Sequence, residues 1–389
     1  MSRGSRARET STIVEVTVAN LDKQELTRVA RQLALPGYDL DEQERLADAR
    51  VLVIGAGGLG CPLMQSLAAA GVGHVEVIDD DTVDISNIHR QILFGASDQG
   101  RLKVEVVAER LKALQPGIEV TARRGRLSAD NAVALTRDVD LLIDGSDSFA
   151  TKFLSADAAE ITGTPLVWGT VLRFDGQAAL WHCGPTERGV GLRDLFPEQP
   201  DASAAPDCAT AGVLGVTTAV IGNLMATEAI KYLAGIGESV PGRVMAYDAL
   251  RGSLRSFTVR ADPAREPVTA LQETYADVCG APDPGPDPEE LVAAAERGEA
   301  LALDIREPHE KLLADLPEST NPRRLPLSEI SSPADVEAAL DGAGRVVVYC
   351  ASGRRSSNFV EDYGELARGV GAELVNFPGG ANGWVKEHG

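Results

Sequence analysis

Two α/β domains in tandem, the first built on a doubly wound and largely parallel sheet, are predicted by three features of this 389-residue chain. Short β-branched runs alternate with helical stretches from Arg50 onward. A Gly-rich turn, Gly55-Ala56-Gly57-Gly58-Leu59-Gly60, joins the first run to a helix. A stiff stretch from Ala281 to Pro288, rich in Pro and Asp, then separates this pattern from a second, shorter round of alternation.

The elements follow in order. Residues 1–20 carry little pattern and read as a disordered lead; the basic Met1 to Arg8 lacks the apolar core of a secretion signal. Residues 21–49 read as an amphipathic helix broken at Pro36-Gly37. Arg50-Val51-Leu52-Val53-Ile54 has the unbroken apolar character of a strand covered on both faces. The Gly-rich turn and a helix to Ala70 come next, then a strand from His74 to Ile78 ending at Asp79-Asp80-Asp81. Helices are predicted over 101–114 and 128–137, and strands near Val120 and over Leu141 to Asp144. Residues 184–207 read as loop, 212–234 as a Gly/Ala-rich helix, and Arg243 to Asp248 and Ser256 to Arg260 as strands. The first domain spans 21–262, a linker 263–287 and the second domain 288–389. Within the last, helices fall at 289–297, 334–340 and 355–366, and strands at 300–304, 345–349 and 373–377.

Composition narrows the function classes. Formal net charge is −21, and such a field repels nucleic-acid phosphates. No apolar run approaches the ~20 residues that span a bilayer. Five cysteines, odd in number and widely spaced, suit free thiols in a reducing cytoplasm rather than a disulfide framework.

A Gly-rich turn between strand and helix lets phosphates approach the backbone at a helix N-terminus. Gly55 and Gly57 supply that turn, and Asp79 is placed to hydrogen-bond a ribose. By itself this pattern reads first as dinucleotide binding, and an NAD-dependent oxidoreductase stays open. Other residues favour a nucleoside triphosphate. Ser86-Asn87-Ile88-His89-Arg90-Gln91 follows the second strand directly, Lys103 lies one helix onward, and Asp147 follows a further strand. Arg90 and Lys103 offer cations for a triphosphate, and Asp147 a carboxylate for Mg²⁺.

The run from Arg28-Val29-Ala30-Arg31-Gln32 through Gly55–Gly60, Asp79–Val83, Ser86–Gln91, Lys103 and Asp147 resembles the MoeB/ThiF family, bacterial relatives of ubiquitin-activating enzymes. The resemblance covers about residues 21–260. It implies a Rossmann-like homodimer that uses ATP and Mg²⁺ to adenylate the C-terminal glycine of a ubiquitin-like sulfur-carrier protein ending in Gly-Gly. By position, Gly58 contacts phosphates, Asp79 the ribose, and Asn87, Arg90 and Lys103 the triphosphate. Asp147 holds the metal, and Arg31 matches an arginine that reaches the partner subunit's site. Ser148 departs from the family's Asn. Cys208 matches the cysteine of a mobile loop that in some members joins the sulfur transfer. The family's structural zinc uses two CxxC pairs, whose positions here are Gly191, Asp194, Ala276 and Cys279; with three thiolates missing, no zinc is expected.

Cys350 ends an apolar strand and opens a helix through Cys350-Ala351-Ser352-Gly353-Arg354-Arg355. Backbone N–H groups and the helix N-terminus in such a loop stabilise anionic sulfur. With Asp304-Ile305-Arg306-Glu307 before it and Gly379-Gly380-Ala381-Asn382-Gly383-Trp384 after, the segment resembles a rhodanese domain. That resemblance implies a persulfide on Cys350, loaded by a sulfur donor such as thiosulfate or a cysteine desulfurase. Together the two domains resemble the MoeZ-type adenylyltransferase–sulfurtransferases, in which the persulfide converts the acyl-adenylate to a thiocarboxylate. A plain sulfurtransferase with an inactive nucleotide domain is the other open reading.

Overall fold

The computed structural model describes residues 21–185, 188–199, 212–272, 275 and 286–388. The lead at 1–20, Cys208, Ala276, Cys279 and the Pro-rich run up to Gly285 lie outside them. The chain divides into two compact units, Met1–Tyr275 and Ala276–Gly389.

In the first unit, the predicted helical stretch is two helices, α1 (Lys23–Arg28) and α2 (Leu40–Asp48). Each starts on an aspartate: Asp22 accepts from the Glu25 N–H, and Asp39 forms a reciprocal capping pair with Glu42. These caps satisfy N–H groups that have no partner within the helix. The sheet runs β3 (Glu119–Arg124), β2 (His74–Asp79), β1 (Arg50–Ile54), β4 (Leu141–Asp144), β5 (Leu166–Leu172), β6 (Asp175–Trp181), β7 (Arg243–Asp248), β8 (Ser253–Thr258). From β3 to β5 the pairs are parallel, as the alternation predicts. From β5 to β8 they are antiparallel. The reversal comes at Arg173-Phe174, a two-residue hairpin in which Arg173 takes φ 56°.

Helices α3 (Gly60–Ala70), α4 (Lys103–Leu114), α5 (Ala132–Arg137), α6 (Phe149–Thr162) and α7 (Gly215–Ala234) cover the two faces. Alternate residues of β1 enter opposite cores, Val51 and Val53 with α3, α4 and α7, Leu52 and Ile54 with Trp168 and Trp181. The sequence reading leaves α6, β5 and β6 undescribed. The reason is burial: α6 hides residues all round, including Lys152, Asp157 and Glu160, so it lacks the one-sided stripe that betrays a surface helix.

The segment read as a linker begins as part of the first unit. Arg265 pairs with Glu160, Leu271 joins an apolar cluster with Leu154 and Ala158, and the Tyr275 hydroxyl donates to Asp157 at 2.6 Å.

The second unit is a four-stranded parallel sheet ordered β10 (Arg323–Arg324), β9 (Leu301–Asp304), β11 (Arg345–Tyr349), β12 (Glu373–Asn376). Helices α8 (Pro288–Glu296), α9 (Pro333–Leu340), α10 (Arg354–Gly369) and α11 (Gly380–His388) surround it. Strand β11 is buried on both sides, Val346 and Val348 in one core, Val347 and Tyr349 in the other. Cys350 therefore leaves the sheet at the end of an inner strand. Among the described residues, no helix is long and apolar enough to cross a membrane.

Candidate functional site

The Gly-rich turn closes between two strand ends. Gly55 takes φ 88°, and a Cβ on it would stand 3.3 Å from the Gly145 carbonyl oxygen. A Cβ on Gly60 would lie 2.1 Å from the Gly55 oxygen, so the sharp entry into α3 admits glycine alone. A Cβ on Gly57 would stand 4.0 Å from the Gly145 oxygen, an ordinary contact. Gly58 instead faces Thr218 of α7 at 3.1 Å and Arg90 at 3.4 Å, both measured from an added Cβ.

Asp79, at the end of β2, ties this turn down: its carboxylate accepts the N–H of Ala56 and of Asp81, each at 2.8 Å. Burial pushes the Asp79 carboxyl above the usual range, against the pull of Lys103 and those two N–H groups. Lys103 opens α4, is almost fully buried, and donates to Asp81 at 2.9 Å. Ser86 donates its N–H to Asp84 at 2.8 Å and so shapes the turn carrying Asn87. Arg90 donates to the Asn87 side-chain oxygen at 2.7 Å and to His89 Nε2 at 2.8 Å. Burial and the Arg90 charge keep the His89 ring below its ordinary pKa, which suits it as the acceptor. Gly215, at the start of α7, packs against the His89 carbonyl, so α7 closes this side.

Between β4 and α6 the loop treats its two aspartates differently. Asp144 is wholly buried and saturated by the Ser146 N–H and hydroxyl and by the Ser155 hydroxyl. Asp147 is exposed, and among the described residues no group donates to its carboxylate. An exposed carboxylate with no donor of its own suits a hard cation such as Mg²⁺. Ser148 turns to its own helix, where its hydroxyl oxygen accepts the Thr151 N–H at 3.1 Å. Arg31 is exposed beyond α1. The fold thus gathers Gly55, Gly57, Gly58, Asp79, Ser86, Asn87, Arg90, Lys103 and Asp147 along the C-terminal edge of β1, β2 and β4. The site reading missed Asp144, Ser155 and Thr218; in sequence only the first signals itself, as a strand-ending acid.

In the second unit, Cys350 is fully buried at the base of its loop. Its sulfur accepts the Gly353 N–H at 3.2 Å and the Ser356 hydroxyl at 3.4 Å. Gly353 has φ 87°, and a Cβ there would come within 2.9 Å of the Gly379 nitrogen. The N-terminus of α11 grips the loop from behind, with the N–H groups of Ala381 and Asn382 donating to the carbonyls of Cys350 and Ala351, both at 2.9 Å. Arg355 pairs with Glu310, which keeps the guanidinium charged and fixed beside the sulfur. Ala351, exposed Ser352 and Arg354 complete the loop. Arg306, a member of the upstream motif, is buried on Asp304 and Asp315, its guanidinium over the Tyr349 ring. Ser356 is the contact that sequence reasoning passed over, although it follows Arg355 directly.

Of the four zinc-ligand positions, the two among the described residues, Gly191 and Asp194, offer no free ligand. Gly191 has no side chain, and Asp194 accepts the Gly191 and Asp262 N–H groups and the guanidinium groups of Arg188 and Arg265. Arg265 also pairs with Glu160 at 3.0 Å. The positive charge shared by Asp194 and Glu160 is thus a guanidinium, that of Arg265.

The two sites define a class: a nucleotide-binding α/β unit joined to a cysteine-loop sulfur unit. A ThiF family model matches residues 29–268, and a rhodanese-like domain model matches residues 287–387. The chain is 40% identical over 378 residues to the probable adenylyltransferase/sulfurtransferase MoeZ of Mycobacterium tuberculosis, covering 94% of both chains. It is 48% identical over 259 residues to the sulfur carrier protein adenylyltransferase of Thermus thermophilus, covering 66% of this chain and 95% of that one. The fold is shared with the crystal structure of E. coli MccB in a complex, at TM-score 0.54 and 18% identity over 65% of this chain and 76% of that one. This chain belongs to the ThiF family and carries a C-terminal rhodanese-like domain.

Proposed function

We propose that the chain activates a ubiquitin-like sulfur-carrier protein and then delivers sulfur to it. The carrier's C-terminal glycine carboxylate attacks the α-phosphorus of ATP, forming an acyl-adenylate and releasing pyrophosphate. Arg90, Asn87 and Lys103 bind the triphosphate and stabilise charge on the leaving group. Asp79 orients the ribose, and Asp147 would hold Mg²⁺, which when bound neutralises phosphate charge. The terminal sulfur of a Cys350 persulfide then attacks the acyl carbon, and AMP leaves. Cleavage of the resulting acyl disulfide by a thiol, for which Cys208 is the candidate, frees the thiocarboxylate and leaves a disulfide for cellular thiols to reduce. Thiosulfate or a desulfurase persulfide would load Cys350.

The observation that carries this reading is the free Asp147 carboxylate among neighbours that are all engaged, beside a strand-end nucleotide site. The dinucleotide alternative gives that carboxylate no task. A homodimer, with Arg31 completing the partner subunit's site, and a cytoplasmic setting for the thiol chemistry belong to the same reading. The charge cluster on Arg265 supports the absence of a structural zinc. The test is ATP–pyrophosphate exchange with Gly-Gly-terminated carriers encoded in the same genome. Exchange is expected with at least one carrier, falling about 100-fold in Asp147→Ala while thiosulfate-to-cyanide transfer persists. No exchange with any carrier, with sulfur transfer intact, favours the plain sulfurtransferase.

A further inference from the structure

Lys152 is a buried ammonium group for which the steps above have no use. It lies one turn into α6, five residues after Asp147, with 2% of its side chain exposed. A lone ammonium at such depth is costly unless its N–H groups are matched. Here they are: Nζ donates to the carbonyl of Ser146 and to that of Gly169, each at 2.7 Å, and stands 3.7 Å from a carboxylate oxygen of Asp144. Its fourth neighbour is the Trp168 ring, 5.8 Å away.

These contacts converge on one residue. Ser146 gives its N–H and hydroxyl to Asp144, at 2.9 and 2.6 Å, and its carbonyl to Lys152. Ser146, the residue that leads into Asp147, is thereby held at three atoms by two opposite charges. On the other side, Ser148 is fixed as the cap of α6. Asp147 is the exposed residue between two restrained ones, and its carboxylate is the group that no described donor occupies.

We propose that Lys152 is a positioning residue of the adenylation site. Through the Ser146 carbonyl it sets the peptide that aims Asp147 at the metal-bound triphosphate, while the Gly169 carbonyl anchors the ammonium to β5. The inference rests on the adenylation reading above. It gives a specific reason for burying a charge that an apolar side chain could replace in a purely structural core.

The test follows pyrophosphate exchange in the full-length protein against Mg²⁺ concentration, with a Gly-Gly carrier. A carboxylate mis-set by a fraction of an ångström loses metal affinity and turnover together. Lys152→Gln is expected to raise the half-saturating Mg²⁺ concentration and to lower kcat, each by about tenfold, with thiosulfate-to-cyanide transfer unchanged. Lys152→Arg, which keeps the charge and the donors, should recover most of the loss. Ser146→Ala removes one of the three restraints, and one donor to Asp144, while leaving the Lys152 contacts in place, and should shift the Mg²⁺ dependence the same way by about threefold. Folded Lys152→Gln protein with wild-type Mg²⁺ dependence overturns the proposal. Where that variant does not accumulate as folded protein, an unchanged Mg²⁺ profile in Ser146→Ala overturns it instead. A wild-type protein with no exchange on any carrier overturns the adenylation reading itself, and this inference with it.

Discussion

At the scale of single residues, the two sites use the same device in opposite senses. In the first site the fold saturates the groups that shape the loops and leaves one carboxylate free. Asp144 and Asp79 are filled by N–H and hydroxyl donors, whereas Asp147 is open to solvent. Cys350 is the reverse case: the reacting sulfur itself sits deep, with one backbone N–H and one hydroxyl pointing at it. A buried sulfur anion depends on such donors because water cannot solvate it. Ser356→Ala is therefore expected to slow thiosulfate-to-cyanide transfer by about tenfold while leaving the thermal unfolding midpoint close to wild type, a split read by steady-state kinetics beside circular dichroism. Equal rates in the two proteins would show that the Gly353 N–H and the loop alone suffice.

At the scale of elements, the segment 262–275 carries the clearest departure from expectation. Its packing needs residues from α6, from the turn near Asp194 and from the chain after β8, and no local pattern announces a contact across that much sequence. Burial pushes the Asp194 carboxyl up, but Arg265 and the N–H groups of Gly191 and Asp262 outweigh it and hold it below the usual range. Its contribution to stability is thus present above the ordinary aspartate pKa of about 4 and is lost as pH falls through the lower folded value. Arg265→Met takes away the guanidinium that Glu160 and Asp194 share, leaving Asp194 to Arg188 and both to backbone N–H donors, and should cost about 3 kcal/mol at neutral pH. The gap in unfolding midpoint from wild type should be constant above about pH 4 and narrow in stronger acid, where Asp194 protonates. A metal chelator should move neither midpoint. The same comparison explains what could be read in advance. The strands β1, β2 and β4 and the Gly-rich turn announce themselves because apolar runs and glycines are local signals. In the antiparallel half, β7 and β8 were legible in the same way but β5 and β6 were not: they meet in a hairpin at Arg173-Phe174, where Arg173 takes a left-handed backbone that its residue type does not advertise.

At the scale of the whole molecule, the nucleotide site and the sulfur loop belong to separate units, each with its own core. The candidate residues stand out in the sequence because they fall at strand ends, where an α/β fold puts its ligands. The networks beneath them were not, because Asp144, Lys152, Ser155 and Ser356 matter only through three-dimensional contacts. The division of labour between the units predicts that the half-reactions separate by mutation. Under the proposed function, adenylation is expected of the first unit alone and thiocarboxylate formation of Cys350 as well. The most direct measurement is the intact mass of a Gly-Gly carrier after incubation with the full-length protein, ATP, Mg²⁺ and thiosulfate. Wild type should convert the carrier to a species heavier by the difference between one sulfur and one oxygen. Cys350→Ser should form acyl-adenylate and pyrophosphate but leave the thiocarboxylate unformed. A thiocarboxylate made equally well by Cys350→Ser, or by wild type without ATP, would contradict the account.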